Sequence, residues 1–385
     1  MCYLSACKKE SSVSNNTSFL KTYPTDIAAK GAYFEQLPDG GYIILGSQVS
    51  GQPILIRTDG SGNLKWEKVI RRNCFATMGP NTYFWNALKT GDAGHLFLQS
   101  NGTLSLIDTV GNLNDSSYIV NPQSTIGYLA TQLGTDYILP TSDGLLSGNP
   151  SVNNFFVFDQ NLKLQQTVNF KDLMLGGKTL TFIVSDLKDT GNYSIIGTKF
   201  PRKYWTWSNN SKIFAAKISG PNHSVIQTII DSGNVKYSDG INNMIITKDS
   251  CVLIIGSRTD ITTSWTHPIV LKIGKNMNVL WLKDFESRGI STLTYISPCR
   301  DGGWIAVGTM GNTAFQSTQS YILKIDKDGN KLWDKTVTAS GTSWLYYCAE
   351  LNDGGYGFIG YSNSFGYGLP GYRLLFVKTD ANGNL

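Results

Sequence analysis

Along this chain the apolar positions come in short runs of strand length, each closed by glycine, aspartate or asparagine. Tyr42-Ile43-Ile44-Leu45-Gly46 follows Asp39-Gly40-Gly41, and Ile54-Leu55-Ile56 leads into Asp59, Gly62 and Asn63. Runs of this length, rich in β-branched and aromatic residues and bounded by turn formers, predict strands joined by tight hairpins. No apolar run approaches the roughly 18 residues that a membrane span requires.

The pattern repeats. Asp39-Gly40-Gly41-Tyr42 with Gly46 returns as Thr190-Gly191-Asn192-Tyr193 with Gly197 and as Asp249-Ser250-Cys251-Val252 with Gly256. It returns again as Asp301-Gly302-Gly303-Trp304 with Gly308 and Asp353-Gly354-Gly355-Tyr356 with Gly360, and in weaker form around His95 and Tyr137. The anchors at 42, 95, 137, 193, 252, 304 and 356 are 53, 42, 56, 59, 52 and 52 residues apart, which makes seven units. A second signature follows each anchor: an apolar strand, then Asp-x-x-Gly-Asn, then a strand carrying Trp, as at Asp59 to Trp66 and Asp326 to Trp333. Asp108 and Asp159 mark degenerate copies. Each unit thus reads as four antiparallel strands with two glycine-bearing turns, and a period of this size predicts an all-β, seven-bladed β-propeller.

The last unit ends at Gly383-Asn384-Leu385, where its Trp strand should begin, while Ser18 to Tyr23 aligns with Leu332 to Val337, with Phe19 in the Trp position. The expectation is that this N-terminal strand completes the last blade and removes an exposed sheet edge. The domain organisation expected is a signal remnant at 1–7, a tether at 8–17 and one propeller at 18–385.

These repeats resemble those of propellers in surface and periplasmic proteins of the Bacteroidota, and more distantly the pyrroloquinoline-quinone-type repeats of quinoprotein dehydrogenases and outer-membrane assembly lipoproteins. Leu4-Ser5-Ala6-Cys7 matches a lipobox, so Cys7 is the candidate lipidated residue. The polar stretch from Lys8 to Ser18 suits a tether, and Lys8-Lys9-Glu10 resembles a surface-export signal of that group. The expected location is the outer membrane or cell surface, held by the lipid alone.

Composition narrows the function classes. The chain of 385 residues holds 40 Gly, 19 Tyr, 17 Phe and 9 Trp but only 16% charged residues, against roughly 25% in an average soluble chain. This argues against helix bundles and coiled coils. A net charge of +5 is too dilute to indicate nucleic acid. Once Cys2 is set aside with the signal, Cys74, Cys251, Cys299 and Cys348 form no C-x-x-C pair, and His95, His223 and His267 stand far apart, so no zinc site is expected. Cys251 and Cys348 read as buried small hydrophobes. Asp326-Lys327-Asp328-Gly329-Asn330 alternates oxygen ligands like a calcium loop, but Val337 stands where the bidentate Glu would be, so a turn explains it better. No cofactor is expected.

In such blades the short, uniform turns share one face, and the long loops share the other, here 141–153, 198–211, 257–268, 309–320 and 361–372. Variable loops on a rigid scaffold are where binding concentrates. Trp66, Trp281, Trp333 and Trp304 occupy repeat positions and read as core. Trp85, Trp205, Trp207, Trp265 and Trp344 follow no repeat position. With Arg202, Tyr204, Arg258 and Tyr367 they form the candidate ligand-binding set, an aromatic surface suited to a glycan or to a partner protein of the outer membrane or periplasm. The expected function is a non-catalytic, monomeric binding module. The alternative is a polysaccharide lyase or glycoside hydrolase using the axial pocket near His95, although no nucleophile elbow or catalytic carboxylate pair stands out.

Overall fold

A computed structural model describes residues 18–23, 29–48, 53–69, 84–89, 95–99, 103–108, 110, 112–118, 124–126, 131–133, 136–143, 153–169, 178–185, 193–199, 212–219, 224–230, 237–285, 289–311, 318–337, 341–363 and 372–385. Every regular element among them is a β-strand. After β1 (Phe19–Tyr23), the first repeat comprises β2 (Ala29–Gln36), β3 (Tyr42–Gln48), β4 (Pro53–Thr58) and β5 (Leu64–Val69). The second comprises β6 (Phe84–Lys89), β7 (His95–Gln99), β8 (Thr103–Ile107) and β9 (Leu113–Tyr118). In the third, the short strands β10 (Ser124–Ile126) and β11 (Thr131–Leu133) both pair with β12 (Asp136–Asp143), followed by β13 (Asn153–Phe158) and β14 (Leu164–Asn169). The fourth holds β15 (Lys178–Ser185), β16 (Tyr193–Lys199), β17 (Lys212–Ser219) and β18 (Ser224–Ile230). The fifth holds β19 (Tyr237–Ile246), β20 (Val252–Asp260), β21 (Thr266–Ile273) and β22 (Val279–Asp284). The sixth holds β23 (Ile290–Pro298), β24 (Trp304–Gly311), β25 (Thr318–Ile325) and β26 (Lys331–Val337). The seventh holds β27 (Ser343–Glu350), β28 (Tyr356–Ser362) and β29 (Arg373–Thr379).

Each repeat is an antiparallel meander, and the seventh is completed from the other end of the chain. Its strand order is β1-β29-β28-β27, with Phe19 opposite Lys378 and Tyr23 opposite Leu374. A single parallel contact, Thr266 opposite Ile290, joins the fifth and sixth meanders into one eight-stranded sheet.

The turns behave as their residues require. Asp326 Oδ1 accepts the N–H groups of Asp328 and Asn330 at 2.9 and 2.8 Å, and Oδ2 accepts the Asn330 amide at 3.0 Å. Asp59, Asp108 and Asp380 do the same in their own turns. The hydrogen bonds from the Asn384 backbone and side chain hold the Asp380 carboxyl below its ordinary range. In the other turn type, the aspartate reaches a cation on the third strand of its own repeat. Asp301 meets Lys324 at 2.7 Å, Asp353 meets Lys378 at 2.7 Å, Asp249 meets Lys272 at 2.9 Å, and Asp39 meets Arg57.

The glycine that ends the first signature has a steric cause. The inner strand of six repeats carries a β-bulge at a corresponding place, at Ala32, Trp85, Thr181, Asn242, Thr294 and Tyr346. In the fifth, sixth and seventh repeats the bulge drives the carbonyls of Gly240, Thr292 and Trp344 into the space that a Cβ at Gly256, Gly308 or Gly360 would take. No side chain fits there.

Neighbouring repeats are latched by two further repeated contacts. The aromatic of one outer strand lies on the turn glycine of the next repeat. A Cβ on Gly329 would stand 2.8 Å from the Trp281 ring, one on Gly383 2.7 Å from Trp333, and one on Gly62 2.6 Å from Phe19. Two residues beyond the aromatic, a lysine reaches the turn asparagine of the next repeat: Lys68 to Asn112 at 3.1 Å, Lys283 to Asn330 at 2.9 Å, Lys335 to Asn384 at 3.2 Å and Lys21 to Asn63 at 3.2 Å. The last pair ties the strand that completes repeat seven to repeat one. Tyr23 adds a hydrogen bond to the Gly62 carbonyl at 2.8 Å. Phe34, Tyr42 and Ile44 of the first repeat share one core with Ile359 and Phe376 of the seventh. Burial of these side chains is worth about 1.5–3 kcal/mol each.

Candidate interaction face

The two ends of each meander differ, as the loop lengths imply. Short turns such as Leu37 to Gly41 and Asp59 to Asn63 lie at one end, and each second strand ends, and each third strand begins, at the other. At the loop end of repeat seven, four aromatic side chains gather. Trp344, the second residue of β27, stacks on Tyr361 at 6.0 Å and an interplanar angle of 20°. Tyr346 packs on both, at 6.3 Å from Trp344 and 5.7 Å from Tyr361. Tyr372 meets Tyr361 edge-on at 4.6 Å and is itself 38% exposed. The Trp344 indole N–H is buried and has no hydrogen-bond acceptor among the described residues. Tyr346 is here because it is the bulged residue of β27. The register slip between Leu345 and Tyr347 places it out of alternation, in ring contact with Trp344 and Tyr361.

Other members of the expected binding set have different settings. Arg258 is not a free surface cation: it is 7% exposed, with Nε 2.8 Å from Asp239 Oδ1 and Nη1 3.4 Å from Asp284 Oδ2, and it covers the Tyr237 ring at 5.2 Å. Its charge is spent in bracing the fifth meander from β19 to β22. Trp265 is exposed, 37%, at the tip of a tight loop in which Asp260 accepts the N–H groups of Thr262 and Thr263 at 2.8 and 3.3 Å. Trp85 does hold a repeat position, the bulge of β6. Arg202, Tyr204, Trp205, Trp207, Tyr367 and Cys7 lie outside the described residues. The tryptophans read as core divide in two. Trp304 is buried, whereas Trp66, Trp281 and Trp333 are half-buried on outer strands, the last two lying on the glycine of the following repeat.

Sequence reasoning missed Tyr346, Tyr361 and Tyr372. Tyr361 directly follows the glycine of the repeat signature and reads as ordinary core. The only signal was their nearness to Trp344 and to the loop at 361–372.

A second aromatic group joins three repeats near their inner strands. Tyr347 lies 4.6 Å from Tyr295 and 4.8 Å from Tyr33, each the residue after a bulge. Burial lifts the Tyr295 and Tyr347 phenols well above their usual range, so both are neutral at physiological pH. They are packing groups, not bases. Burial likewise pushes the Cys299 thiol up to about 12, and Cys251 and Cys348 are buried. The Asp326 carboxylate that suggested a calcium loop is taken up by its own turn. Among the described residues no three or more His, Cys, Asp and Glu side chains gather as a metal would need, and no helix is long and apolar enough to cross a membrane.

With this geometry in view, comparison with known proteins places the fold. The chain is similar to the WD40 β-propeller domain of Doa1, with a TM-score of 0.54 at 10% identity over 94% of this chain and 95% of that one. It is also similar to Chaetomium thermophilum Raptor, TM-score 0.58 at 9% identity, covering 94% of this chain and 29% of that one. A third likeness is to BBS1N, solved in complex with ARL6DN, with a TM-score of 0.50 at 8% identity over 95% of this chain and 99% of that one. The class is therefore an all-β propeller. No protein-family model matches the sequence, and no curated protein matches it.

Proposed function

We propose that this protein is a closed, seven-bladed propeller, anchored by lipid at Cys7 in the outer membrane or at the cell surface, that docks a partner protein through the loop end of its seventh repeat. The observation that carries this reading is the cluster of Trp344, Tyr346, Tyr361 and Tyr372. Trp344 stacks on the buried Tyr361, Tyr346 packs on both, and Tyr372 stands exposed beside them. Aromatic residues of this kind are enriched in the hot spots of protein interfaces. A sugar platform needs an open ring face, which the Trp344–Tyr361 stack does not offer. Ring closure is supported by the pairing of β1 with β29 and by the Lys21 and Phe19 latches onto the first repeat. The similar BBS1N fold was solved in complex with ARL6DN, which accords with a propeller serving as a docking body. The lipid anchor rests on the Leu4-Ser5-Ala6-Cys7 sequence.

Trp265, exposed and without a ring partner among the described residues, favours glycan stacking as a second reading. One comparison separates the two. Partner capture from native envelope membranes, followed by affinity measurement with the captured protein, should weaken at least tenfold in the double variant Trp344→Ala, Tyr372→Ala and change little in Trp265→Ala. A glycan array should show the reverse pattern if the second reading holds. Unchanged protein affinity in the double variant refutes the docking face.

A further inference from the structure

The latches between repeats are not spread evenly around the chain. They are present from repeat five to six, six to seven, seven to one and one to two. Register identifies what stands at the same positions elsewhere. The aromatic position, Trp66 opposite Arg57 and Trp333 opposite Lys324, is held by Asp115 in repeat two, Gln166 in repeat three and Ile226 in repeat four. The lysine position is held by Ser117, Val168 and Thr228. None of these can lie on a glycine as an indole does, and none can extend a cation to the next turn.

The receiving positions have changed with them. Where repeats one, six and seven have Gly62, Gly329 and Gly383, repeat three has Leu162 and repeat five has Met277. Both keep the backbone shape of the glycine they replace, with φ of 58° for Leu162 and 61° for Met277, against 75° for Gly62 and 79° for Gly329. A side chain there is strained, since L residues other than asparagine and aspartate seldom adopt this region. Both side chains are buried, at 2% and 4% exposure, and Met277 packs with Ile213 and Ala215 of the preceding repeat. An apolar plug on a strained backbone thus occupies the seam that elsewhere holds an aromatic ring and a charged hydrogen bond. The aromatic and lysine donors are gone at three consecutive seams, two to three, three to four and four to five. The receiving asparagine is replaced by Lys163 in repeat three and His223 in repeat four, while repeat five keeps Asn278 with no lysine to meet it. In repeat four the receiving pair reads Asn222-His223, outside the described residues.

We infer that the propeller is built of two unequal arcs, a latched arc running from repeat five through seven and one to two, and an unlatched arc, formed by strands β10 to β18 of repeats three and four, that opens as a unit while the latched arc stays folded. The seam from repeat four to five keeps a single cation contact, Lys212 to the Tyr237 carbonyl at 3.1 Å, in place of the paired aromatic and lysine latch, and regions of low local stability open in contiguous units. The inference needs only the seams as described. It does not need the docking face of repeat seven, so loss of either leaves the other standing.

Native-state hydrogen exchange read by mass spectrometry tests it. Amides of β13, β14, β16, β17 and β18 are expected to exchange at least tenfold faster than those of β20, β21, β24, β25, β28 and β29, and to do so together. Equal protection across the two groups overturns the inference. A second arm converts the latched seam between repeats five and six to the plugged type by Trp281→Ile, Lys283→Thr and Gly329→Leu. Exchange in β20 and β21 should then rise at least tenfold, with β13 and β14 unaffected, and an unchanged rate again overturns it. A variant that fails to fold is replaced by Lys283→Thr alone, expected to give a smaller rise confined to the same strands, whose absence counts against the inference.

Discussion

A chain lacking residues 18–23 melts about 10 °C or more below the intact protein, or is recovered only as aggregate. The effect is large because three losses coincide. The outer edge of β29, whose side chains from Leu374 to Val377 are all fully buried, is left without its partner strand and becomes an open template for pairing with other chains. Phe19 leaves the turn glycine at 62, along with its edge-on contacts to Phe376 at 5.5 Å and Tyr42 at 6.3 Å. Tyr23 and Lys21 give up their hydrogen bonds to repeat one. Lys21→Ala removes only an exposed hydrogen bond and is expected to cost less than about 1 kcal/mol. Thermal unfolding followed by circular dichroism distinguishes the two variants, and equal melting temperatures would show that β1 is dispensable.

The second large effect belongs to one methyl group. Gly360→Ala is expected to destabilise by about 3 kcal/mol or more, at or beyond the upper end of ordinary overpacking. The new Cβ falls inside the van der Waals radius of the Trp344 carbonyl oxygen and crowds the Leu345 Cα. Both are backbone atoms of a paired strand and cannot swing aside as a side chain would. Relief requires flattening the bulge that places Tyr346 against Trp344 and Tyr361, so the substitution should also weaken partner binding. Gly354→Ala is the useful contrast. Its cost is the φ of 87° alone, since nothing lies within 4 Å of the added atom, and it should cost about 1 kcal/mol and leave binding intact. Urea unfolding of the two variants measures the difference, and similar midpoints would contradict the steric account.

The repeat architecture was readable because turns are local. Asp-Gly-Gly and Asp-x-x-Gly-Asn are written in consecutive residues, and their aspartates and glycines act within four positions of one another. The match of Ser18 to Tyr23 with the Trp strand was readable for the same reason, since Lys21 and Phe19 recur at fixed offsets. The bulges were not readable. Ala32, Trp85, Thr181, Asn242, Thr294 and Tyr346 follow no single residue type, and the only trace of the slip is the glycine at the corresponding place on the next strand, present in five repeats and replaced by Gln99 in the second. Arg258 was misjudged because the carboxylates that bury it, Asp239 and Asp284, lie 19 and 26 residues away on different strands. The aromatic cluster was half seen: Trp344 stood out as a tryptophan off the repeat, whereas Tyr361 was hidden in a run that resembles every other core strand.

The measurement that bears most directly on the proposed ring closure is disulfide trapping between β1 and β29. Leu20 and Val377 are paired across β1 and β29 and share one core, within the spacing that directly opposed strand residues keep. In the double variant Leu20→Cys, Val377→Cys, oxidation should produce a peptide cross-link between positions 20 and 377, identified by mass spectrometry after digestion and lost on reduction. Two free, alkylatable thiols at these positions in a folded protein would contradict the closure.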